Sequence, residues 1–292
     1  MATAGQWIEG ARPRTLPAAV APVLAGTGAA AYTHDEVWWK AALALLVSLL
    51  LQIGVNYAND YSDGIRGTDD ERVGPMRLVG SGVAAPPAVK RAAFTAFGLA
   101  GAVGLVLAAT TAWWLVAVGA LSILAAWFYT GGKKPYGYLG LGEVMVFVFF
   151  GLVAVLGTQY VQAEDLTLTG LYAAVGVGAL ACAILVANNL RDIPTDTEAG
   201  KRTLAVKLGD GRTRAFYGLL VLVALLSLAG ISSQTTWWAA LALVGFIPLG
   251  RADQIVRRDK AAGPALIPVL QLTGVGELLY AAGLFAGLLI GR

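Results

Sequence analysis

The feature that most limits how this chain folds is the recurrence of apolar runs of about 20 residues, all but one without a charge, the length a helix needs to cross a hydrocarbon layer roughly 30 Å thick. Runs at 15–33, 41–59, 92–110, 112–130, 144–163, 168–190, 215–232, 236–250 and 268–290 read as nine transmembrane helices. The uncharged stretches 92–132 and 215–250 are too long for one crossing, and turn residues divide each: Thr110-Thr111 in the first, Ser232-Ser233-Gln234 in the second. Hydrophobic residues make up 57% of the 292 and charged residues 13%, about half the charged share of soluble domains. With a mean hydropathy of +0.68, the chain has too little polar surface for a soluble fold of this size. The expected fold is all-α: one polytopic membrane domain over 1–292, its helices bundled.

Nine crossings assign the loops to alternate sides. The N-terminus and loops 60–91, 131–143, 191–214 and 251–263 share one side and hold 19 of the 21 Lys and Arg residues, leaving Lys40 and Arg292 for the other. The positive-inside rule makes the basic side cytoplasmic. The expected location is therefore the cell inner (plasma) membrane, with the N-terminus in and the C-terminus out. Glu9 and Arg12 precede the first apolar run, which reads as a retained span rather than a signal peptide. Cys182, the single cysteine, excludes an intramolecular disulfide and reads as a buried, inert thiol. His34 lies in a charged loop and has no second histidine with which to build a metal site. No nucleic-acid partner is expected.

The long loops and nearly all the acids fall on the basic side, so chemistry belongs there. The second span ends in Asn56-x-x-Asn59-Asp60-x-x-Asp63, with Arg66, Asp69 and Asp70 following. The sixth ends in Asn188-Asn189-Leu190-Arg191-Asp192-x-x-x-Asp196, followed by Lys201, Arg202 and Thr203. Helix residues three and four apart share a face, which aligns Asn56 with Asp60 and Asp63, and Asn188 with Asp192 and Asp196. A single such stretch reads equally well as a solvated acidic helix end. Two with one Asn-x-x-x-Asp core, both after an apolar helix and both on one side, point to a shared site. Carboxylates gathered this way repel unless a cation joins them. Magnesium takes oxygen ligands, one or two carboxylates per ion, and completes its shell with water and phosphate. Arg66, Arg77, Lys133, Lys134, Arg191, Lys201 and Arg202 suit the phosphate oxygens that the metal leaves free.

Loop 131–143, within Tyr129-Thr-Gly-Gly-Lys133-Lys134-Pro-Tyr136-Gly-Tyr138-Leu-Gly-Leu-Gly-Glu143, is glycine-rich and basic, so its backbone can approach a ligand closely. It also suits a positive-inside anchor with tyrosines at the interface. No Walker motif is present, which excludes a nucleotide-binding phosphate loop. Glu277 lies inside the ninth span and reads either as functional or as a hydrogen-bonding link between helices. Gly176 and Gly178 read as small residues for close helix packing.

The paired motifs, on the second and sixth of nine expected helices, resemble the UbiA superfamily of intramembrane prenyltransferases. Within it the chain is most similar to the MenA branch, whose members prenylate 1,4-dihydroxy-2-naphthoate in menaquinone biosynthesis. Three strings carry that finer likeness: Ala11-Arg12-Pro13-Arg14-Thr15-Leu16-Pro17; Asn59-Asp60-Tyr61-Ser62-Asp63-Gly64 with Gly67-Thr68-Asp69; and Asn188 to Asp192 continuing through Gly200-Lys201-Arg202-Thr203-Leu204. The resemblance implies a helical bundle around a central cavity that opens at the cytoplasmic face, with a lateral opening for an isoprenoid tail in membrane lipid. It implies magnesium held by Asn56, Asp60, Asp63, Asn188, Asp192 and Asp196, and diphosphate held by Arg77, Tyr129, Lys133, Lys201 and Arg202. Arg12, Arg14, Lys134 and Tyr138 are the expected acceptor contacts. Gly67 stands where some members carry a further Asp, and Asp69 lies two residues on.

The implied reaction breaks the allylic C1–O bond of a polyprenyl diphosphate. An electron-rich ring then attacks, and loss of carbon dioxide restores aromaticity. Asp60, Asp63, Asp192, Asp196 and Lys133 are the expected catalytic set. Prenyl transfer to 4-hydroxybenzoate, a haem or a sugar phosphate is an alternative. A transporter is another, because nine helices with motifs 132 residues apart also suit an internal repeat. Transporters, however, place charged or broken helices at the bilayer midplane, and here the acids gather at one face.

Overall fold

The structure, a computed structural model, describes residues 2–67 and 76–292. Asp69, Asp70 and Arg72 lie outside the described residues. Helices account for the regular structure, and no strand occurs among the described residues. A short helix α1 (Ala4–Gly10) and a single 3-10 turn (Pro13–Thr15) precede α2 (Pro17–Tyr32), which bends away from them by 49°. Proline at the first turn of α2 suits this start, since its missing N–H would lack an intrahelical partner there. Then come α3 (Trp38–Gly64), α4 (Pro86–Ala109) and α5 (Leu115–Phe128). The continuous helix α6 (Gly142–Ala163) contains a π-helical stretch at Phe147–Leu156. Beyond it lie α7 (Leu168–Arg191), α8 (Ile193–Glu198), α9 (Leu204–Leu208), α10 (Asp210–Gln234), α11 (Trp237–Arg258) and α12 (Ile267–Ile290).

Every expected span falls on a helix, though not every one of those helices is long enough by itself to cross. Among the described residues seven helices are long and apolar enough to cross, or eight if the bent pair at the N-terminus is one span. The remaining segment, α5, has only 14 residues, about 21 Å of helix. The eighth expected span is longer than its 236–250 boundaries, because α11 runs through Arg251 and Arg257 to Arg258 where a loop was expected. Asp253 and Arg257, four apart and bonded at 2.6 Å, carry that last turn.

Helix α7 is the centre of the bundle, packed on α2, α6, α10 and α12. Its small residues permit this. A Cβ added to Gly176 would sit 2.5 Å from the Tyr280 hydroxyl, and one on Gly178 would sit 3.0 Å from the Cα of Gly151 on α6. Alternating helices bring the chain's polar loops to one end. The opposite end carries three exposed Trp-Trp pairs, Trp38-Trp39, Trp113-Trp114 and Trp237-Trp238, the residues that line membrane–water boundaries. At that end Lys40 is buried and donates to Thr110 O at 3.1 Å and Thr111 Oγ1 at 2.9 Å. Arg292 bonds Glu36 there and holds the Glu36 carboxyl below the usual carboxylate range.

Candidate active site

Four segments meet at the polar-loop end. The first is the N-terminal arm, tied across the end of α3. Asn56 Nδ2 donates to Ala11 O at 2.8 Å and to Thr15 Oγ1 at 3.0 Å, and Tyr57 Oη donates to Trp7 O at 2.8 Å. Arg12 has a left-handed backbone at φ 54°, uncommon for a side-chain-bearing residue, and its guanidinium is within electrostatic reach of Asp60. Arg14 is exposed on the same arm.

The second segment is the end of α3 with the chain at Met76–Val79. Helix α3 continues to Gly64, so Asn56, Asp60 and Asp63 do share one helical face, all three buried. Asp60 has no exposed surface. Its two carboxylate oxygens accept from the backbone N–H of Leu78 at 2.7 Å and of Val79 at 3.0 Å. Asp63 accepts a hydrogen bond from the Tyr138 hydroxyl and lies 3.9 Å from Arg77.

The third segment, the end of α7, departs from the single-helix expectation for Asn188, Asp192 and Asp196. Helix α7 stops at Arg191, and Asp196 belongs to the separate helix α8. Pro194 causes the break, because it has no N–H for the carbonyl four residues back. Arg191 bonds Asp192 through both of its forks, Nε to Oδ1 at 2.6 Å and one terminal nitrogen to Oδ2 at 2.7 Å, and reaches Asn188 Oδ1 at 2.9 Å. Asp196 faces Lys201 at 3.9 Å.

The fourth segment, residues 129–143, lies between the two motifs and is fastened to both. On the first-motif side Arg66 donates to the carbonyls of Thr130 and Gly132, and Thr130 Oγ1 donates to Asn59 Oδ1 at 2.8 Å. On the second-motif side Arg202 N donates to Tyr138 O at 3.0 Å, Lys207 Nζ to Leu139 O at 2.6 Å, and Asn189 Nδ2 to Glu143 Oε1 at 2.9 Å. Gly140, at φ 78°, makes the turn possible; a Cβ there would lie 2.9 Å from Lys207 Nζ.

Each motif acid is therefore met by protein donors: Asp60 by backbone, Asp63 by Tyr138 and Arg77, Asp192 by Arg191, Asp196 by Lys201. Among the described residues no three Asp, Glu, His or Cys side chains converge closely enough to hold a metal ion by themselves. The donor set still suits magnesium. Arg77 and Lys201 stand 3.9 Å from Asp63 and Asp196, beyond hydrogen-bond length, and an ion that takes one or two carboxylates needs only one from each motif. Arg66 and Arg191, expected at phosphate, have protein partners here. Lys133, Lys134 and Arg202 are exposed on the flanking loops.

Below the motifs lies a cavity of about 350 Å³. Asn56, Asn59, Tyr129 and Tyr136 line its polar end; Leu107, Leu115 and Val161 line its far end. Along α3 its wall runs from Ala44 to Asn59, about 22 Å at 1.5 Å per residue. Phe149, Phe150 and Val153 of the π-helical stretch form another wall, a local distortion frequent at functional sites. The Tyr136 hydroxyl donates to Ala125 O at 2.7 Å, and burial pushes its phenol above the ordinary range. Asn59, Gln52 and Tyr136 line this cavity although sequence reasoning gave them no role. Gln52, a polar residue four before Asn56 in an apolar run, was the available signal. Glu277 is fully buried away from the cavity, and neither carboxylate oxygen has a hydrogen-bond partner among the described residues. The Cys182 thiol is buried and donates to Glu143 O at 3.1 Å.

The chain is similar to known proteins along its whole length. Residues 19–288 match the model of the UbiA prenyltransferase family. A 1,4-dihydroxy-2-naphthoate octaprenyltransferase of Mycobacterium tuberculosis is 57% identical, over 100% of this chain and 99% of its own. The protein of the same description in Escherichia coli is 38% identical, over 96% of this chain and 94% of its own. A UbiA homolog from Archaeoglobus fulgidus, solved bound to GPP and Mg2+, shares the fold with a TM-score of 0.70 at 14% identity, over 97% of this chain and 99% of that one. On its sequence, its helical fold and its paired aspartate motifs, the chain belongs to the UbiA prenyltransferase family.

Proposed function

We propose that this prenyltransferase moves a polyprenyl group from polyprenyl diphosphate to 1,4-dihydroxy-2-naphthoate, releasing carbon dioxide and diphosphate and forming the demethylmenaquinol of menaquinone biosynthesis. The observation that carries this reading is full-length kinship with naphthoate octaprenyltransferases. The physical layout supports it. An apolar cavity lies directly beneath a charged mouth, so one substrate can leave its tail in a lipid-like space and its diphosphate in a polar one. Tail beyond the cavity passes between helices into membrane lipid.

Asp63, Asp192 and Asp196, with Asp60, Asn56 and Asn188 in support, hold magnesium in this reading. When bound, the ion acts as a Lewis acid toward diphosphate oxygens. Arg77, Lys133, Lys201 and Arg202 neutralise the leaving diphosphate as it takes the C1–O electron pair, and Tyr129 borders its seat. The ring carbon bearing the carboxylate attacks C1, and the departing carbon dioxide returns its electron pair to the ring. The apolar walls formed by Leu51, Phe149 and Val153 exclude water that would otherwise capture the allylic cation. Arg12, Arg14 and Lys134 draw the anionic acceptor to the mouth.

The test is incubation of purified protein with a polyprenyl diphosphate, magnesium and a panel of aromatic acceptors. The reading requires a prenylated naphthalenediol lacking its carboxylate, with one carbon dioxide per transfer. Preferential formation of a prenylated hydroxybenzoate that keeps its carboxylate would overturn the acceptor assignment. We also place the site on the cytoplasmic side, from the 19-to-2 division of basic residues. Single cysteines in loops 60–91 and 191–214 should then react with impermeant reagents only from the cytoplasmic side; labelling from outside intact cells reverses the orientation.

A further inference from the structure

The sequence separates the two aspartate motifs by more than 120 residues, and the chain must hold them in register for both to serve one diphosphate. Within the fourth segment one side chain touches both. The Tyr138 hydroxyl donates to Asp63 of the first motif. Lys201, the partner of Asp196 in the second, sits 4.7 Å above the centre of the Tyr138 ring, and the Tyr138 carbonyl accepts from Arg202 N at 3.0 Å. Arg66 lies 5.5 Å from the same ring on the other side of the junction. A phenol is suited to such a place. Its hydroxyl bonds one carboxylate oxygen of Asp63, the other lying 3.9 Å from Arg77, and its π face attracts a cation without neutralising it.

We infer that Tyr138 is a positioning residue that couples the two motifs, setting Asp63 and Lys201 at the spacing needed to hold one metal-bound diphosphate between them. This differs from the acceptor contact expected from the sequence, and it rests on the reading that both motifs serve the diphosphate. The fastening is tight around it. Gly140, Lys207 and Arg202 fix the following turn to the second motif, while Asn59 and Arg66 fix the preceding one to the first. Tyr138 combines a contact to a motif acid on one side with a contact to a motif cation on the other. Outer contacts that orient a metal-ligating carboxylate are commonly worth about tenfold to a hundredfold in metal affinity.

The experiment measures Mn2+ binding by electron paramagnetic resonance, with inorganic diphosphate present, on the full chain in detergent. Wild type, Tyr138→Phe and Tyr138→Leu are compared, with thermal unfolding as a control. Tyr138→Phe keeps the ring and loses the hydroxyl on Asp63, so Mn2+ affinity should fall about tenfold to a hundredfold with the melting temperature near wild type. Tyr138→Leu also loses the face under Lys201 and should weaken inorganic diphosphate binding further. In the wild-type background, Arg77→Ala and Lys201→Ala should have non-additive effects on diphosphate affinity, and the coupling should vanish with Tyr138→Leu. If Tyr138→Phe binds Mn2+ and diphosphate as wild type does, Tyr138 is a structural strut and the inference is overturned. If wild type itself binds no Mn2+ with diphosphate, the reading of the whole site falls, and this inference with it. Should Tyr138→Leu fail to fold, the conservative Tyr138→Phe decides alone.

Discussion

The two aspartate motifs share an Asn-x-x-x-Asp core but are built on different supports. The first lies on an unbroken helix, and its acids are partnered across the fold: Asp60 by Leu78 and Val79, Asp63 by Tyr138. The second straddles a break at Pro194, and its acids are partnered by near neighbours in sequence, Asp192 by Arg191 and Asp196 by Lys201. The first motif is thus part of what holds the polar end of the bundle together, whereas the second is a local structure laid upon it. Substitutions in the two should differ in kind. First-motif changes should reach stability, and second-motif changes should act mainly on turnover.

The largest expected effect is in the second motif. Asp196→Asn removes a carboxylate charge and weakens the 3.9 Å contact to Lys201, its neighbour in sequence. Turnover should drop at least about a hundredfold, near 2.7 kcal/mol of barrier, with denaturant stability near wild type. Next comes Asp60→Asn. Both oxygens of Asp60 accept from backbone N–H groups, so one amide NH2 must confront a donor that cannot turn away. Denaturant titration should show a loss of about 1–3 kcal/mol. An equal loss for Asp196→Asn, or none for Asp60→Asn, would erase the distinction between the motifs. The smallest effect should come from Glu277→Gln. Glu277 touches neither motif and has no hydrogen-bonding partner among the described residues to lose. Turnover should stay within about twofold, roughly 0.4 kcal/mol; a tenfold fall would bring Glu277 into the mechanism.

Much of this layout is legible in the residues themselves. The length and spacing of the apolar runs mark the helices, and the Asn-x-x-x-Asp repeat marks the two polar helix ends, because both patterns are local. The division of Lys and Arg between loops is legible for the same reason. What escaped was either a matter of one residue's backbone or of distant partners. The i, i+4 spacing of Asp192 and Asp196 implies one helix, whereas Pro194 between them ends it. Arg66 and Arg191 read as phosphate ligands from their charge alone, whereas the fold gives them carbonyls and Asp192. Nothing in the spacing of Asp60 foretells the N–H groups 18 and 19 residues on, and the place of Tyr138 between Asp63 and Lys201 arises only when three loops meet.

Locating metal and diphosphate together tests most directly whether the two motifs share one site. A structure of the full chain with Mn2+ and a prenyl thiolodiphosphate, whose C1–S bond resists cleavage, would place the ions by anomalous scattering. Manganese should contact at least one carboxylate from each motif, Asp63 on one side and Asp192 or Asp196 on the other. The diphosphate should lie between them and the prenyl chain should run down the cavity past Asn59 toward Leu107. Manganese confined to one motif, or a diphosphate bound away from the junction spanned by Tyr138, would contradict a shared site.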